Sequence, residues 1–234
     1  MRFPHSLRRA TLLKRYKRFL SDHRLDDGST VTAHVANPGA MTGLIGEGLE
    51  TWLSPAANPK RKLRYSWEMV RADAGLVGVN TGWPNRLAEE AITGGAIPAL
   101  AGYETVRREV AYGAGSRVDL LLEGPDRPPC YVEVKNVHLK RGPAAEFPDS
   151  VTARGTKHLR ELAAVAESGA RAVMLYIVQR EDCDRFTLAA DIDPAYAMAF
   201  ADARARGVEA LACACRLSTE GIAVDQPLPI EIPA

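Results

Sequence analysis

The chain has 234 residues, enough for one large domain or two domains of ordinary size. Its composition, 46% hydrophobic and 25% charged, is typical of a soluble globular protein, and no stretch approaches the roughly 18 apolar residues that would indicate a membrane span. The basic N-terminus lacks the apolar core and cleavage site of a signal peptide, so we expect a cytoplasmic protein.

The charge is divided unevenly along the chain, although the formal net charge is only +1. Residues 1–71 contain 13 Lys and Arg against 6 Asp and Glu, whereas residues 72–234 contain 17 against 23. A basic segment joined to an acidic one suggests separate tasks, and a polyanion such as nucleic acid is the expected partner of the basic segment.

The first 80 residues contain short strand-like runs separated by turn residues. The runs are residues 10–20, 30–35, 49–54, 63–71 and 76–79. Turn chemistry such as Asn37-Pro38-Gly39 stands between them. Short strands with polar turns predict a small barrel, and the five-stranded OB-fold has the matching size.

Two of these runs combine basic and aromatic residues. The basic residues, which are the candidate DNA-binding residues, are Lys14, Arg15, Lys17, Arg18, Lys60, Arg61, Lys62 and Arg64. Basic side chains can neutralise phosphates while rings stack on bases, so these runs predict a surface for single- or double-stranded DNA. The alternative is that Tyr16, Phe19 and Trp67 belong to the core and that the charges form a solvated edge.

After residue 80 the sequence alternates between helical and strand patterns. Helices are predicted at residues 84–93, 150–168 and 194–206, and strands at 104–112, 117–123, 130–139, 172–179 and 208–217. This order is typical of an α/β layer arrangement with at least one crossover. We therefore predict two domains, residues 1–80 and 81–234.

Four cysteines lie in the second predicted domain. They are Cys130, Cys183, Cys213 and Cys215. Their spacing matches no common zinc pattern, and Cys213 and Cys215 are too close in sequence for an easy bridge. We expect buried, free thiols in a reducing compartment.

The segment CYVEVKNVHL, residues 130–139, alternates as a strand does and places Glu133 and Lys135 on one face. In the preceding run, SRVDLLLE, alternation places Asp119 opposite Val118 and Leu120. If the two runs are neighbouring antiparallel strands, Asp119 can lie across from Glu133. Two clustered carboxylates repel each other unless a cation or a proton lies between them, and such oxygen ligands suit Mg²⁺ or Mn²⁺.

The spacing of these residues matches a nuclease signature. Asp119, 13 intervening residues and then Glu133-Val134-Lys135 form the pattern of the PD-(D/E)XK superfamily. Lys135 could orient or help deprotonate a water molecule, or stabilise charge on a phosphate. Taken alone, the pattern also fits a surface ion pair.

Two flanking helices strengthen the nuclease interpretation. Superfamily members commonly draw a further carboxylate from an earlier helix, here Glu89 or Glu90, and a polar side chain from a later one, here Lys157 or His158. The apolar stripe of the first helix does not decide between the two acids, and either could instead be a solvated edge residue.

Over nearly its full length the chain closely resembles the sugar fermentation stimulation protein A (SfsA) family. The matching segments are HVANPGAM at 34–41, VNTGWPNRLAEEAI at 79–92, SRVDLLLE at 116–123, CYVEVKNVHL at 130–139, FPDSVTARGTKHLREL at 147–162 and RGVEALAC at 206–213. The resemblance implies an N-terminal OB-like domain, a C-terminal PD-(D/E)XK nuclease-like domain, DNA binding and a bacterial setting, with a family name that reflects an effect on maltose metabolism.

The resemblance also implies a set of site residues. The catalytic set would be Glu90, Asp119, Glu133 and Lys135, with the three acids as metal ligands. The family usually reads GQKHL where this chain reads GTKHL, so Lys157 and His158 become the auxiliary candidates in place of Thr156.

Two functions follow from these expectations. One is a Mg²⁺- or Mn²⁺-dependent DNA nuclease; the other is a non-catalytic, largely sequence-nonspecific DNA-binding regulator of sugar (maltose) metabolism genes. No membrane association or protein partner is indicated, and the sequence does not decide between a monomer and a homodimer.

Overall fold

The computed structural model describes residues 1–58, 60–113 and 115–232. Three β-sheets and three α-helices make up most of the regular structure of these residues. None of the described helices has both the length and the apolar composition needed to cross a membrane.

The N-terminal part forms a closed barrel. Its strands are β1 (Arg8–Tyr16), β2 (Leu20–Leu25), β3 (Thr30–His34), β4 (Glu50–Pro55), β5 (Tyr65–Ala72) and β6 (Gly75–Gly78). The sheet order is β3-β2-β1-β4-β5-β6, and a parallel pairing of β3 with β5 closes the first five strands into a ring, while β6 extends the sheet beyond β5. The predicted five-stranded OB-like barrel is therefore confirmed.

The predicted run 10–20 is wrong in one respect, because the chain reverses inside it. Lys17 and Arg18 adopt φ angles of 47° and 63° and connect β1 to the unpredicted strand β2. Hairpin turns with positive φ usually carry Asn, Asp or Gly, so two basic residues gave no turn signal.

One of the three aromatic residues of the basic runs, Trp67, belongs to the core of the barrel. Trp67 is fully buried with Leu12, Leu53 and Val70, and its indole N–H donates to the carbonyl of Met69 at 2.9 Å. The base-stacking interpretation is therefore wrong for Trp67. Phe19, in contrast, is 43% exposed in the β1–β2 turn.

The rest of the chain forms an α/β domain. Its strands are β7 (Thr105–Tyr112), β8 (Ser116–Glu123), β9 (Cys130–Val137), β10 (Leu139–Arg141), β11 (Ala144–Phe147), β12 (Arg171–Val178), β13 (Arg185–Leu188), β14 (Glu209–Leu217) and β15 (Ile222–Leu228). Its helices are α1 (Pro84–Thr93), α2 (Ala153–Glu167) and α3 (Pro194–Ala205), with a short 3₁₀ helix at Pro98–Leu100. The predicted α/β architecture is confirmed, but β10, β11, β13 and β15 were not predicted.

Six strands form a mixed sheet of order β15-β14-β12-β9-β8-β7. The pairs β9–β12 and β12–β14 are parallel and the others antiparallel, while β10, β11 and β13 form a small separate sheet. Helix α1 and the barrel residues Trp52 and Met69 pack on one face of the large sheet, and α2 and α3 pack on the other. Because β12 is covered on both faces, it reads as a continuous apolar run.

The helix ends follow local chemistry. Pro84 begins α1, the hydroxyl of Thr152 accepts the Gly155 N–H at the start of α2, and the Asp193 carboxylate accepts the Tyr196 N–H at the start of α3. The predicted start of α2 at residue 150 was therefore early. All four cysteines are buried free thiols, as expected.

Candidate active site and nucleic-acid interface

The candidate site begins where strands β8 and β9 separate. Their ladder ends with Leu120 opposite Val132, which places Asp119 next to Glu133 in the continuing register. Beyond that pair, Asp119 Oδ2 accepts the Val134 N–H at 2.8 Å. A carboxylate thus replaces a backbone carbonyl in the ladder and is held in the gap between the two strands.

The predicted alternation of β8 breaks at this point. Val118 packs in the same cluster as Leu121, whereas Leu120 packs on the opposite face of the sheet. Grouping Val118 with Leu120 was therefore wrong. On the neighbouring strand β7, Glu109 has a φ of 52°, so the irregularity extends across both strands.

Glu133 is the most deeply buried carboxylate of the site, with 2% of its surface exposed. Its Oε1 accepts from Lys135 Nζ at 2.7 Å and from the Nδ1–H of His158 on α2. Its Oε2 is also buried and has no hydrogen-bond partner among the described residues. Burial raises the pKa of Glu133, but the His158 hydrogen bond and the Lys135 charge together bring it below its ordinary value.

Asp119 responds to the neighbouring charge. Burial, and next the negative charge of Glu133, raise the pKa of Asp119 above its ordinary value. Its Oδ1 accepts the side-chain N–H of Asn85 on α1 at 2.7 Å. The two acids are therefore electrostatically coupled, and a cation between them would favour the ionised form of both.

The acids of α1 lie apart from this pair. Glu90 is ion-paired with the N-terminal ammonium and with Arg86, each at 2.7 Å, and Glu89 is ion-paired with Arg108 on β7. The structure thus does not bring Glu90 together with Asp119. The residue of α1 that reaches Asp119 is Asn85, which sequence reasoning missed although it lies one helical turn before Glu89 and on the same face.

Only one of the two auxiliary candidates on α2 contacts the site. His158 is buried, and its Nε2 accepts from Arg154 at 3.3 Å, which leaves Nδ1–H to donate to Glu133. Lys157 is half exposed and lies 3.5 Å from Glu161. The Thr156 hydroxyl donates to its own helix backbone, at Thr152.

The two acids offer oxygen ligands for a metal ion. Within the described residues, no group of three or more His, Cys, Asp or Glu side chains lies close enough together to hold one. A buried carboxylate oxygen without a donor, however, is energetically costly, and Glu133 Oε2 is such an atom beside a second carboxylate. These residues fit Mg²⁺ or Mn²⁺, because such ions retain several waters and need only one or two protein carboxylates.

The basic residues of β1 and its turn divide into two groups. Arg15 donates to the carbonyls of Asn37, Gly39 and Ala40, so it fixes the loop after β3. Lys14 lies 3.6 Å from Asp22 and 66% of its side chain is exposed, and both residues of the turn, Lys17 and Arg18, are exposed as well.

The structure brings the two predicted basic runs together. A groove of about 490 Å³ on the barrel is lined by Tyr16 from β1 and by residues 62–65, which include Lys62 and Arg64. Arg61 lies at 3.0 Å from the Ser66 hydroxyl, and Lys60 is exposed. The arrangement combines cations with aromatic rings, as proteins that bind single strands do.

Comparison with known proteins identifies the family. A family model described as "Sugar fermentation stimulation protein RE domain" matches residues 82–221, and one described as "SfsA N-terminal OB domain" matches residues 13–79. Sugar fermentation stimulation protein homologs of Paramagnetospirillum magneticum and Rhodospirillum centenum are each 59% identical to the chain, over 232 and 229 residues. These alignments cover 99% and 97% of this chain and 98% of each relative.

A solved structure shares the whole architecture. SfsA of Pyrococcus furiosus, determined in complex with Ca²⁺, superposes with a TM-score of 0.89 at 27% sequence identity. The match covers 99% of this chain and 98% of that one. The chain belongs to the sugar fermentation stimulation protein A (SfsA) family.

Proposed function

We propose that the protein is a Mg²⁺- or Mn²⁺-dependent phosphodiesterase that acts on DNA. The observation that carries the proposal is the electrostatically coupled pair of the half-buried Asp119 and the buried Glu133, with the unpartnered oxygen of Glu133 and the ammonium of Lys135 beside it. The Ca²⁺ in the structure of Pyrococcus furiosus SfsA supports a divalent-cation site in this fold.

Each residue of the site has a distinct task in this proposal. Asp119 and Glu133 would hold the ion, which would polarise a phosphoryl oxygen and lower the pKa of a water molecule. His158 positions Glu133 through its Nδ1–H. Glu90 would serve as a further, water-mediated ligand only after leaving its ion pairs with the N-terminus and Arg86.

Lys135 is the residue that the reaction would depend on most. In the described structure its ammonium neutralises Glu133 at 2.7 Å, and only 14% of the side chain is exposed. With an ion held by the acids, that ammonium would face a phosphate, where it would orient the attacking water and stabilise the negative charge that develops. Lys135 would thereby link the charge state of the acids to phosphodiester cleavage.

In this proposal the barrel binds the DNA. Its groove carries Lys62, Arg64 and Tyr16, and the exposed residues Lys17, Arg18 and Phe19 stand in the adjacent turn. Basic residues of this kind neutralise phosphates irrespective of sequence. Binding would therefore be largely nonspecific.

Replacement of Lys135 tests the catalytic role. Wild-type protein with Mg²⁺ or Mn²⁺ should cut single- or double-stranded DNA, whereas Lys135→Ala should bind equally well and cut about 100-fold more slowly or not at all. The control is Arg216→Ala, which removes a cation that is 71% exposed and ion-paired with Asp225, and which should cut like the wild type. Cleavage rates on labelled oligonucleotides, with binding measured by gel shift, give the comparison.

The non-catalytic alternative has a specific observation in its favour. Glu90 is ion-paired with the N-terminal ammonium and Arg86, so the third acid that the resemblance implies does not join Asp119 and Glu133, and Lys135 pairs with Glu133. The same experiment distinguishes the two functions. If wild type and Lys135→Ala bind DNA alike and neither cuts any substrate with either metal, the protein is a DNA-binding regulator of sugar (maltose) metabolism genes that retains a nuclease-like site.

A further inference from the structure

A cavity of about 320 Å³ lies where the barrel meets the α/β domain. Pro38 and Gly39, in the loop after β3, form its barrel wall, and residues 147–152, which lead into α2, form the opposite wall. Asn136 and His138 also line it, one and three residues after Lys135 in the chain. The cavity therefore borders the end of β9, the strand that carries Glu133 and Lys135.

The walls of the cavity are held in place by a buried hydrogen-bond network. Asp149 Oδ2 accepts the backbone N–H of Met41, from the barrel, and the Nε2–H of His138, both at 3.1 Å. His138 Nδ1 in turn accepts from the Asn136 amide at 2.9 Å. Gly39 approaches so closely that a Cβ there would lie 2.4 Å from Asp149 Oδ2. The cavity is thus formed in advance of any ligand.

The lining combines apolar surfaces with a polar edge. Pro38, Pro148 and Val151 provide apolar walls, and Val151 is 75% exposed at the rim. The amide oxygen of Asn136 accepts a hydrogen bond from Gln179, and one of its amide N–H groups donates to His138. The second N–H of that amide has no partner in the described part of the chain. The cavity therefore suits a planar group that has apolar faces and hydrogen-bonding edges.

A cation stands at the entrance. Arg18 also lines the cavity, and its Nε donates to the Pro38 carbonyl at 2.9 Å. Its two terminal nitrogens have no hydrogen-bond partner among the described residues, and the guanidinium carbon lies 5.8 Å from the centre of the Phe19 ring, so the nitrogens can still donate to a phosphate. A planar ring joined to an anionic backbone is a nucleotide, and the cavity is far too small to admit a paired duplex.

We infer that this cavity receives an unpaired nucleobase of the DNA strand whose phosphodiester lies at Glu133 and Lys135. The inference rests on the proposed function and narrows its substrate class to DNA with unpaired nucleotides, such as single strands, frayed ends and mismatches. Extracting a base from a duplex costs stacking and pairing energy that a single strand does not lose. The protein should therefore prefer single strands over intact duplexes.

A fluorescent base tests the inference without requiring cleavage. 2-Aminopurine is placed in turn at each position of an oligonucleotide of about 20 nucleotides, a length that exceeds the binding site of a single OB-fold. Each oligonucleotide is titrated as a single strand and as a duplex with full-length wild-type protein, without metal and with Ca²⁺. We expect a fluorescence change concentrated at one position, and affinity for the single strand about tenfold above that for the duplex.

Two matched variants test whether the cavity is the site that binds the base. Val151→Glu places a negative charge at the rim of the cavity, and Met198→Glu places one at an equally exposed apolar residue of α3, 70% exposed. Because both positions are exposed, both variants should fold. Val151→Glu should abolish the fluorescence change and weaken single-strand binding about tenfold, while Met198→Glu should do neither.

The outcomes separate this inference from the proposed function. If DNA binds but no position changes fluorescence, or if Val151→Glu behaves like Met198→Glu, the cavity is not a base site, while DNA binding stands. If the wild type binds no DNA at all, the proposed function fails and this inference fails with it. Equal affinity for single strands and duplexes would likewise overturn the preference for unpaired nucleotides.

Discussion

At the scale of single residues, the carboxylates of Asp119 and Glu133 repel each other in the candidate site. Glu133 is buried and Asp119 is half-buried, and the charge of Glu133 is one reason, after burial, why the pKa of Asp119 is raised. Lys135 and His158 donate directly to Glu133, whereas the hydrogen bonds to Asp119 come from neutral donors, Asn85 and the Val134 backbone, and Lys135 acts on it only through its charge. Sites that are arranged for a ligand are commonly less stable without it.

Asp119→Asn should therefore stabilise the protein in the absence of metal. Removing the charge relieves the repulsion by Glu133 and should raise the free energy of unfolding by about 1 kcal/mol at pH 8. Because the folded-state pKa of Asp119 is raised, the wild type suffers this destabilisation above that pKa and loses it as the pH falls through it. The advantage of the variant should accordingly shrink at pH 4, as measured by urea denaturation in a chelator.

Asp126→Asn provides the control for this prediction, since Asp126 is exposed in the β8–β9 loop and its replacement should change little at either pH. Addition of Mg²⁺ should stabilise the wild type but not Asp119→Asn, because an ion that binds only the folded state adds to its stability. A variant that is less stable than the wild type without metal, or that still responds to Mg²⁺, would contradict the assignment.

The sequence located part of this site and could not locate the rest. Glu133, Lys135 and His158 follow from strand alternation and from the helix that succeeds it, both of which are local patterns. The position of Glu90 depends on the N-terminal ammonium, which is remote in sequence and reaches α1 only in the folded chain. Successive helix residues point about 100° apart, so a choice between Glu89 and Glu90 needs the packing of α1 as well as its sequence.

At the scale of elements, the barrel groove joins two segments that are distant in sequence. Tyr16 ends β1, and residues 62–65 lead into β5, so only closure of the barrel brings them together. The sequence predicted both basic runs but not their common groove. It also missed β2, because no Gly, Asn or Asp marks the turn, and β15, an edge strand whose residues are mostly exposed and include Pro227.

Neutralising residues 60–62 tests the groove. Replacement of Lys60, Arg61 and Lys62 by Ser should weaken DNA binding at low salt and reduce the slope of log affinity against log salt by about 2, since each lost phosphate contact removes roughly 0.7–0.9. The control replaces three exposed arginines of the α/β domain, Arg107, Arg160 and Arg216, by Gln. Fluorescence anisotropy at several salt concentrations gives both slopes. Equal slopes for the two triple variants would show that residues 60–62 do not form the DNA-binding surface.

At the scale of the whole molecule, the barrel and the α/β domain are tied together beside the proposed base cavity. Arg180, which follows β12, is 2% exposed and donates to the His138 carbonyl at 2.9 Å. Its guanidinium also pairs with Asp182 and with Asp73 in the β5–β6 turn, both at 2.8 Å. His138 thereby connects to the barrel through two routes, Arg180–Asp73 and Asp149–Met41. The barrel is thus held in a defined position relative to β9.

Arg180→Met should destabilise the whole chain by about 3 kcal/mol, because it leaves Asp182 poorly exposed and without its strongest cation. The control is Arg185→Met, whose partners Asp184 and Glu231 are both 65% exposed, and it should cost less than about 1 kcal/mol.

Although burial opposes it, pairing with Arg180 lowers the pKa of Asp182 to about 2. The stabilisation from this carboxylate is therefore complete above pH of about 4 and is lost as the pH falls toward 2. The difference in unfolding free energy between wild type and Arg180→Met should narrow across that range. Urea unfolding followed by tryptophan fluorescence measures both values. Equal costs for the two arginine variants, or a difference that does not depend on pH, would show that the Arg180–Asp182 ion pair does not supply this stabilisation.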